Sequence, residues 1–126
     1  MKNAAIEMEQ LGRDFAVCKL ESAAGVDVSR AFTFLAVTDD EISLVCEVSR
    51  LPPHTTEVET GWKGLKIRGV LDFGMVGVIA GISHILAERG ISIFVVSTFN
   101  TDYIFLCAAQ CDKAVNALRS NGYIVV

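Results

Sequence analysis

The chain has 126 residues, 52% of them apolar and 21% charged with only two prolines, a composition that excludes a disordered segment and fits one compact domain or two very small ones sharing a core. Fifteen acidic against eleven basic residues give a net charge of −4, and only Lys63, Lys66 and Arg68 cluster, which argues against nucleic acid as a partner. The longest apolar run, Ile91 to Val96, falls far short of the ~20 residues that span a bilayer, and the first residues hold no apolar signal-like stretch, so a soluble cytoplasmic protein without membrane attachment is expected.

In chain order, Phe15 to Leu20 alternates as a first strand. Ser22 to Arg30 is too short and too rich in glycine and serine for a full helix, leaving room for one turn near Val28 to Ala31. Ala31 to Val37 and Glu41 to Val48 flank the turn Thr38-Asp39-Asp40 and read as a hairpin. Leu51-Pro52-Pro53 ends it, because proline cannot donate to a ladder and disfavours a helical residue before it. Thr55 to Thr60 reads as a short edge strand, and Trp62 to Gly69 as a separate strand with Leu65 and Ile67 on one face.

Met75 to Arg89 carries the clearest helical pattern: Met75, Val78, Ile79, Ile82, Ile85 and Leu86 recur at three- and four-residue spacing, and Gly90 can close the helix at positive φ. Its narrow opposite face holds Gly77, Gly81, His84 and Glu88, where missing side chains admit a packed neighbouring element or else a dimer or ligand contact. Ile91 to Ser97 and Tyr103 to Ala108 read as paired strands. Asp112 is expected to cap a second helix running to about Asn121, and Tyr123 to Val126 to add a last strand. From Trp62 onward the order is βαββαβ, an α+β, ferredoxin-like arrangement.

The segments 34–46 (FLAVTDDEISLVC) and 94–107 (FVVSTFNTDYIFLC) share a strand, a Thr/Asp-bearing turn and a strand ending in cysteine, with one residue of length difference. The chain therefore reads as a reduced N-terminal unit over 13–60 and a complete C-terminal one over 61–126, packed in a single core. Cys18, Cys46, Cys107 and Cys111 follow no zinc-clamping spacing, and His54 and His84 lie thirty residues apart. Reduced thiols are expected, with Cys18, Cys46 and Cys107 buried in strands, and neither a metal nor a cofactor.

Two polar spots stand out. A helix start leaves backbone N–H groups unpaired and carries partial positive charge, so the segment Asp72, Phe73, Gly74, Met75, Val76 and Gly77 is suited to a carboxylate. Gly74 and Gly77 permit close approach, and Asp72 can take an ammonium. The plainer reading is that Gly74 eases a strand-to-helix turn and Asp72 caps the helix. The second spot, Ser97 through Thr98, Phe99, Asn100, Thr101 and Asp102, offers hydroxyls, an amide and a carboxylate, although Asn100 and Asp102 can equally stabilise the turn itself. The sequence holds no G-x-S-x-G, H-E-x-x-H, P-loop or G-x-G-x-x-G pattern, and His84 points away from its neighbour Ser83, so catalysis has no motivated residue.

The stretch LDFGMVGVIAGISHILAERGISIFVVSTFNTDYIFL (71–106) resembles the ACT domain family, and within it the short tandem proteins similar to the regulatory region of aspartate kinases and to cytosolic arginine sensors. LDF, the following GV, the AGI turn and STFNTDY carry the resemblance, which extends over 61–122 and more faintly over 15–48. It implies a regulatory module that binds a free amino acid or similar metabolite without chemistry of its own. It also implies a homodimer and a regulated enzyme partner, with Asp72 to Val78 and Ser97 to Asp102 lining the ligand site. Ala87-Glu88-Arg89-Gly90 departs from the family's usual small residues. The alternative is a structural or protein-interaction module whose pocket is vestigial.

Overall fold

A computed structural model describes residues 6–69 and 76–126. The chain divides into two compact units, one formed by Arg13–Trp62 and the other by Lys63–Val126 together with the N-terminal segment through Gly12.

The Arg13–Trp62 unit holds strands β2 (Phe15–Leu20), β3 (Phe34–Val37), β4 (Ile42–Glu47) and the first part of β5 (Thr55–Ile67) in the order β3-β4-β2-β5. This is the ferredoxin-like strand order with neither α-helix. Residues 21–33 stay out of a helix because side chains take the backbone donors: Ser22 Oγ accepts from Ala24 N at 3.1 Å and Asp27 Oδ1 from Ser29 N at 3.0 Å. After β4 the chain makes a single 3₁₀ turn, Val48–Arg50, and Pro52-Pro53 stops it there. The core is correspondingly thin: Cys18 and Leu20 of β2 with Leu44 and Cys46 of β4, covered by Val26, Leu35, Ile42 and Leu51.

The other unit adds β1 (Glu7–Gln10), α1 (Val78–Glu88), β6 (Ile93–Ser97), β7 (Asp102–Cys107), α2 (Cys111–Ser120) and β8 (Ile124–Val125), with strand order β6-β7-β5-β1-β8. Ile82 and Leu86 of α1, and Ala114, Val115 and Leu118 of α2, bury against Met8, Leu65, Ile67, Ile104 and Leu106 of the sheet. The side chains come from one face of each strand and one stripe of each helix, as alternation and 3.6-residue periodicity require. The unit is a mixed sheet with two α-helices, the ferredoxin-like arrangement expected from the sequence.

Several boundaries differ from the sequence expectations. Thr55 to Thr60 and Trp62 to Gly69 form one thirteen-residue strand, Thr55–Ile67, whose first part pairs with β2 and whose last residues pair with β1. Strand β1 has no counterpart in the sequence reading. It lies antiparallel to β5, and β8 pairs in parallel with β1 rather than with β5. Helix α1 starts at Val78 rather than Met75, because Gly77 stands before it at φ 83°, outside the helical region. Asp112 lies inside the first turn of α2 and does not cap it: the N-cap position is Gln110, with no side-chain cap bond.

The internal repeat is also in a different register. Thr38 N donates to Glu41 O at 2.9 Å and Thr98 N to Thr101 O at 2.8 Å, and in each turn the threonine hydroxyl bonds the same carbonyl, at 3.2 and 3.0 Å. Ile42–Glu47 and Asp102–Cys107 then follow with matching burial, and each leads into a 3₁₀ turn, Val48–Arg50 and Ala108–Gln110. Aligned on the threonines, the copies have no length difference. Cys46 corresponds to Leu106, and Cys107 to Glu47. Because a one-residue slip moves a strand side chain to the opposite face, Cys107 is exposed, correcting the expectation that it is buried. Cys18 and Cys46 are buried as expected, and all four thiols are free.

Candidate functional site

Among the described residues, no side chain caps the start of helix α1. Gly77 occupies its N-cap with no side-chain cap bond, and the first turn holds no acidic residue. The first intrahelical bond runs from Gly81 N to Gly77 O at 2.9 Å, so the amides ahead of it lack helical partners. Together they carry roughly half a positive charge. Val76, just before, is 94% exposed. Asp72, Phe73, Gly74 and Met75 lie outside the described residues.

The second segment is a four-residue hairpin turn closed by its own hydroxyls. Thr98 Oγ1 donates to Thr101 O, and Thr101 Oγ1 donates to Ile67 O at 2.7 Å with Thr101 only 5% exposed. Both hydroxyl protons are thus committed to the fold. Phe99, 81% exposed, and Asn100 form the tip, while Asp102 is half-buried opposite Ser97 at the start of the β6–β7 ladder.

The fold brings the turn and the helix start to the same end of their unit. Helix α1 leaves through the tight bends in which Gly90 N bonds Ala87 O and Ile91 N bonds Leu86 O, so the chain reverses and β6 returns against the direction of α1. An 11-residue helix spans about 16 Å and a five-residue strand about 17 Å, so the far end of β6 comes level with the first turn of α1. The Thr101–Ile67 bond independently places the turn at the end of β5.

Gly81, on the narrow helix face, serves packing: a Cβ there would meet the Tyr123 hydroxyl at 3.1 Å. Farther along that face, His84 and Glu88 stand 3.5 Å apart, both well exposed. Sequence reasoning missed that the amides available at the helix start belong to Val78, Ile79 and Ala80. The signal was Gly77 itself, since a glycine at positive φ ends the lead-in and the helix follows it.

An ACT domain family model matches residues 57–120, and the chain belongs to that family. It is similar to the crystal structure of a protein from Agobacterium tumefaciens, with 27% identity and a TM-score of 0.85 over 98% of this chain and 94% of the other. It also resembles the ligand-free regulatory subunit of aspartate kinase from Thermus thermophilus at 11% identity and TM-score 0.66, covering 94% and 98% of the two chains. Aspartate kinase from Clostridium acetobutylicum shares the fold at 15% identity and TM-score 0.65, over 93% of this chain and 34% of the enzyme. No curated protein sequence matches the chain. Among the described residues no helix is long and apolar enough to cross a membrane.

Proposed function

We propose that the protein is a cytoplasmic regulatory module that binds a free amino acid at the start of α1 and the Thr98–Thr101 turn, acts as a homodimer, and passes the bound state to an enzyme partner without chemistry of its own. The observation that carries the reading is the start of α1 behind Gly77, where no side chain among the described residues caps the helix, at the same end of its unit as the turn. The α-carboxylate sits on the N–H groups of the first turn, where the helix end favours an anion. The ammonium group is taken by Asp102, with Asp72 to Met75 assigned to the site from sequence alone. Asn100 and Phe99 at the turn's tip contact the side chain. Membership of the ACT family supports a small-molecule-binding regulatory role, and similarity to aspartate kinase regulatory regions supports an enzyme as the regulated partner.

The test is a thermal-shift screen of the full chain against the twenty amino acids. A ligand at a hundred times its dissociation constant adds about 2.7 kcal/mol, several degrees for a domain of this size. One or a few related amino acids raising Tm supports the reading. No shift with any of them leaves the interaction module with a vestigial pocket as the function.

A further inference from the structure

The Arg13–Trp62 unit contains a cavity of about 200 Å³ that the amino-acid site does not use, on the sheet face left open because the unit forms no α-helix. Its floor is apolar: Leu44 and Cys46 of β4, both at most 2% exposed, with Val26 from the loop above. Burial pushes the Cys46 thiol up to about 11, so the floor stays uncharged at neutral pH. Its rim is cationic. Arg30 and Arg50 both line it, one from the loop before β3 and the other from the 3₁₀ turn after β4.

The polar accounting at the rim leaves donors in excess. Among the described residues Asp27 is the one carboxylate lining the cavity, and its oxygens are already engaged: Oδ1 by the Ser29 amide at 3.0 Å and hydroxyl at 2.5 Å, Oδ2 by Arg30 Nε at 3.4 Å. That arrangement holds the Asp27 carboxyl below its ordinary range, so it stays ionised and paired. Arg30 keeps its two terminal nitrogens, and the guanidinium of Arg50 makes no hydrogen bond or ion pair to any described residue. Two guanidiniums against one satisfied carboxylate leave local positive charge in a chain whose net charge is −4.

We propose that this cavity is a second ligand site, which takes a small carboxylate with a short branched apolar tail: the carboxylate on Arg50 and Arg30, the tail on Val26, Leu44 and Cys46. A guanidinium presents a planar fork that matches a carboxylate's two oxygens. The volume limits the tail, since a cavity of about 150 Å³ holds a benzene-sized molecule. The apolar floor disfavours inorganic phosphate, which has nothing to bury there. With the Asp27 carboxylate already paired, no free carboxylate is left to offset an ammonium, so the ligand class differs from that of the α1 site and does not depend on it.

The experiment is titration of the full chain with 3-methylbutanoate, followed by calorimetry and by backbone amide shifts, with 3-methylbutanamide and inorganic phosphate as comparators. The acid is expected to bind saturably, with shifts centred on Gly25, Val26 and Thr33, and the neutral amide of the same shape to bind at least tenfold more weakly. Arg50→Ala, at an exposed position, is expected to retain the wild-type circular dichroism and lose at least tenfold in affinity, with Arg50→Lys intermediate. No saturable binding by the wild type, unchanged affinity in folded Arg50→Ala, shifts centred on Val78 to Ala80, or phosphate binding as tight as the acid's would each overturn the proposal.

Discussion

The Thr101 hydroxyl donates to the carbonyl of Ile67 at 2.7 Å, joining two residues thirty-four positions apart and pinning the β6–β7 turn to the exit of β5. The bond is buried, so its loss strands a carbonyl that water does not readily reach. Thr101→Val keeps the shape and removes the donor, and it should cost about 1–3 kcal/mol in urea denaturation. Thr38→Ala, which removes an exposed turn hydroxyl, should cost no more than about 1 kcal/mol.

How much the sequence disclosed follows from which signals are local. Phe15–Leu20 was readable to the residue because a short run of mostly apolar residues is bounded by the charged Asp14 and Glu21. Strand β1 was not: within Glu7–Gln10 only Met8 is buried, and the strand exists through non-local pairing with β5 and β8. The apolar spacing that ran through Met75 cannot register that Gly77 holds a φ outside the helical region. Cys107 was misplaced because an apolar residue within a strand was read as buried, whereas the register set by the turn threonines puts it on the exposed side. The α1 site was visible as two polar segments, but their meeting at one end depends on the reversal after α1. The cavity of the other unit left no local signal, since it follows from absent helices and from two arginines twenty positions apart in sequence.

Thiol accessibility checks the corrected register. Cys107, exposed, should be alkylated first, half-buried Cys111 more slowly, and Cys18 and Cys46 only on the timescale of opening. With its thiol pushed up to about 11, only about one Cys46 in a thousand is ionised at pH 8. Peptide-resolved mass spectrometry after brief maleimide treatment reads the order, and fast labelling of Cys46 would contradict it.

The same thiol gives a pH dependence. Folding raises the Cys46 pKa from 9.0 to about 11, so the folded state holds the proton over a range where the unfolded chain has lost it. The contribution is fully present below pH 9 and declines as pH rises toward 11. Denaturation curves between pH 8 and 11 should therefore fall more steeply for the wild type than for Cys46→Ala, in which this titration is gone. Parallel slopes would show that Cys46 carries none of it.

Gly81 and Tyr123 should be coupled. Alanine in a helix interior is worth about 1 kcal/mol over glycine, but at Gly81 the new Cβ meets the Tyr123 hydroxyl at 3.1 Å. Gly81→Ala should gain less than that in the wild type and recover most of it in a Tyr123→Phe background. A double-mutant cycle measures the difference, and strict additivity would show that the contact is not felt.

The account's central claim, an amino-acid site at the start of α1 and the Thr98–Thr101 turn, is tested most directly by isothermal titration calorimetry of the wild type and Asp102→Ala with whichever amino acid raises the wild-type Tm. Asp102 is half-buried at the base of the turn. Removing its carboxylate should weaken binding by roughly 1.5–3 kcal/mol, the range for a hydrogen bond to a charged group, with the unfolding transition little changed. Equal affinity in a folded Asp102→Ala, or no amino acid bound by the wild type, would contradict the claim.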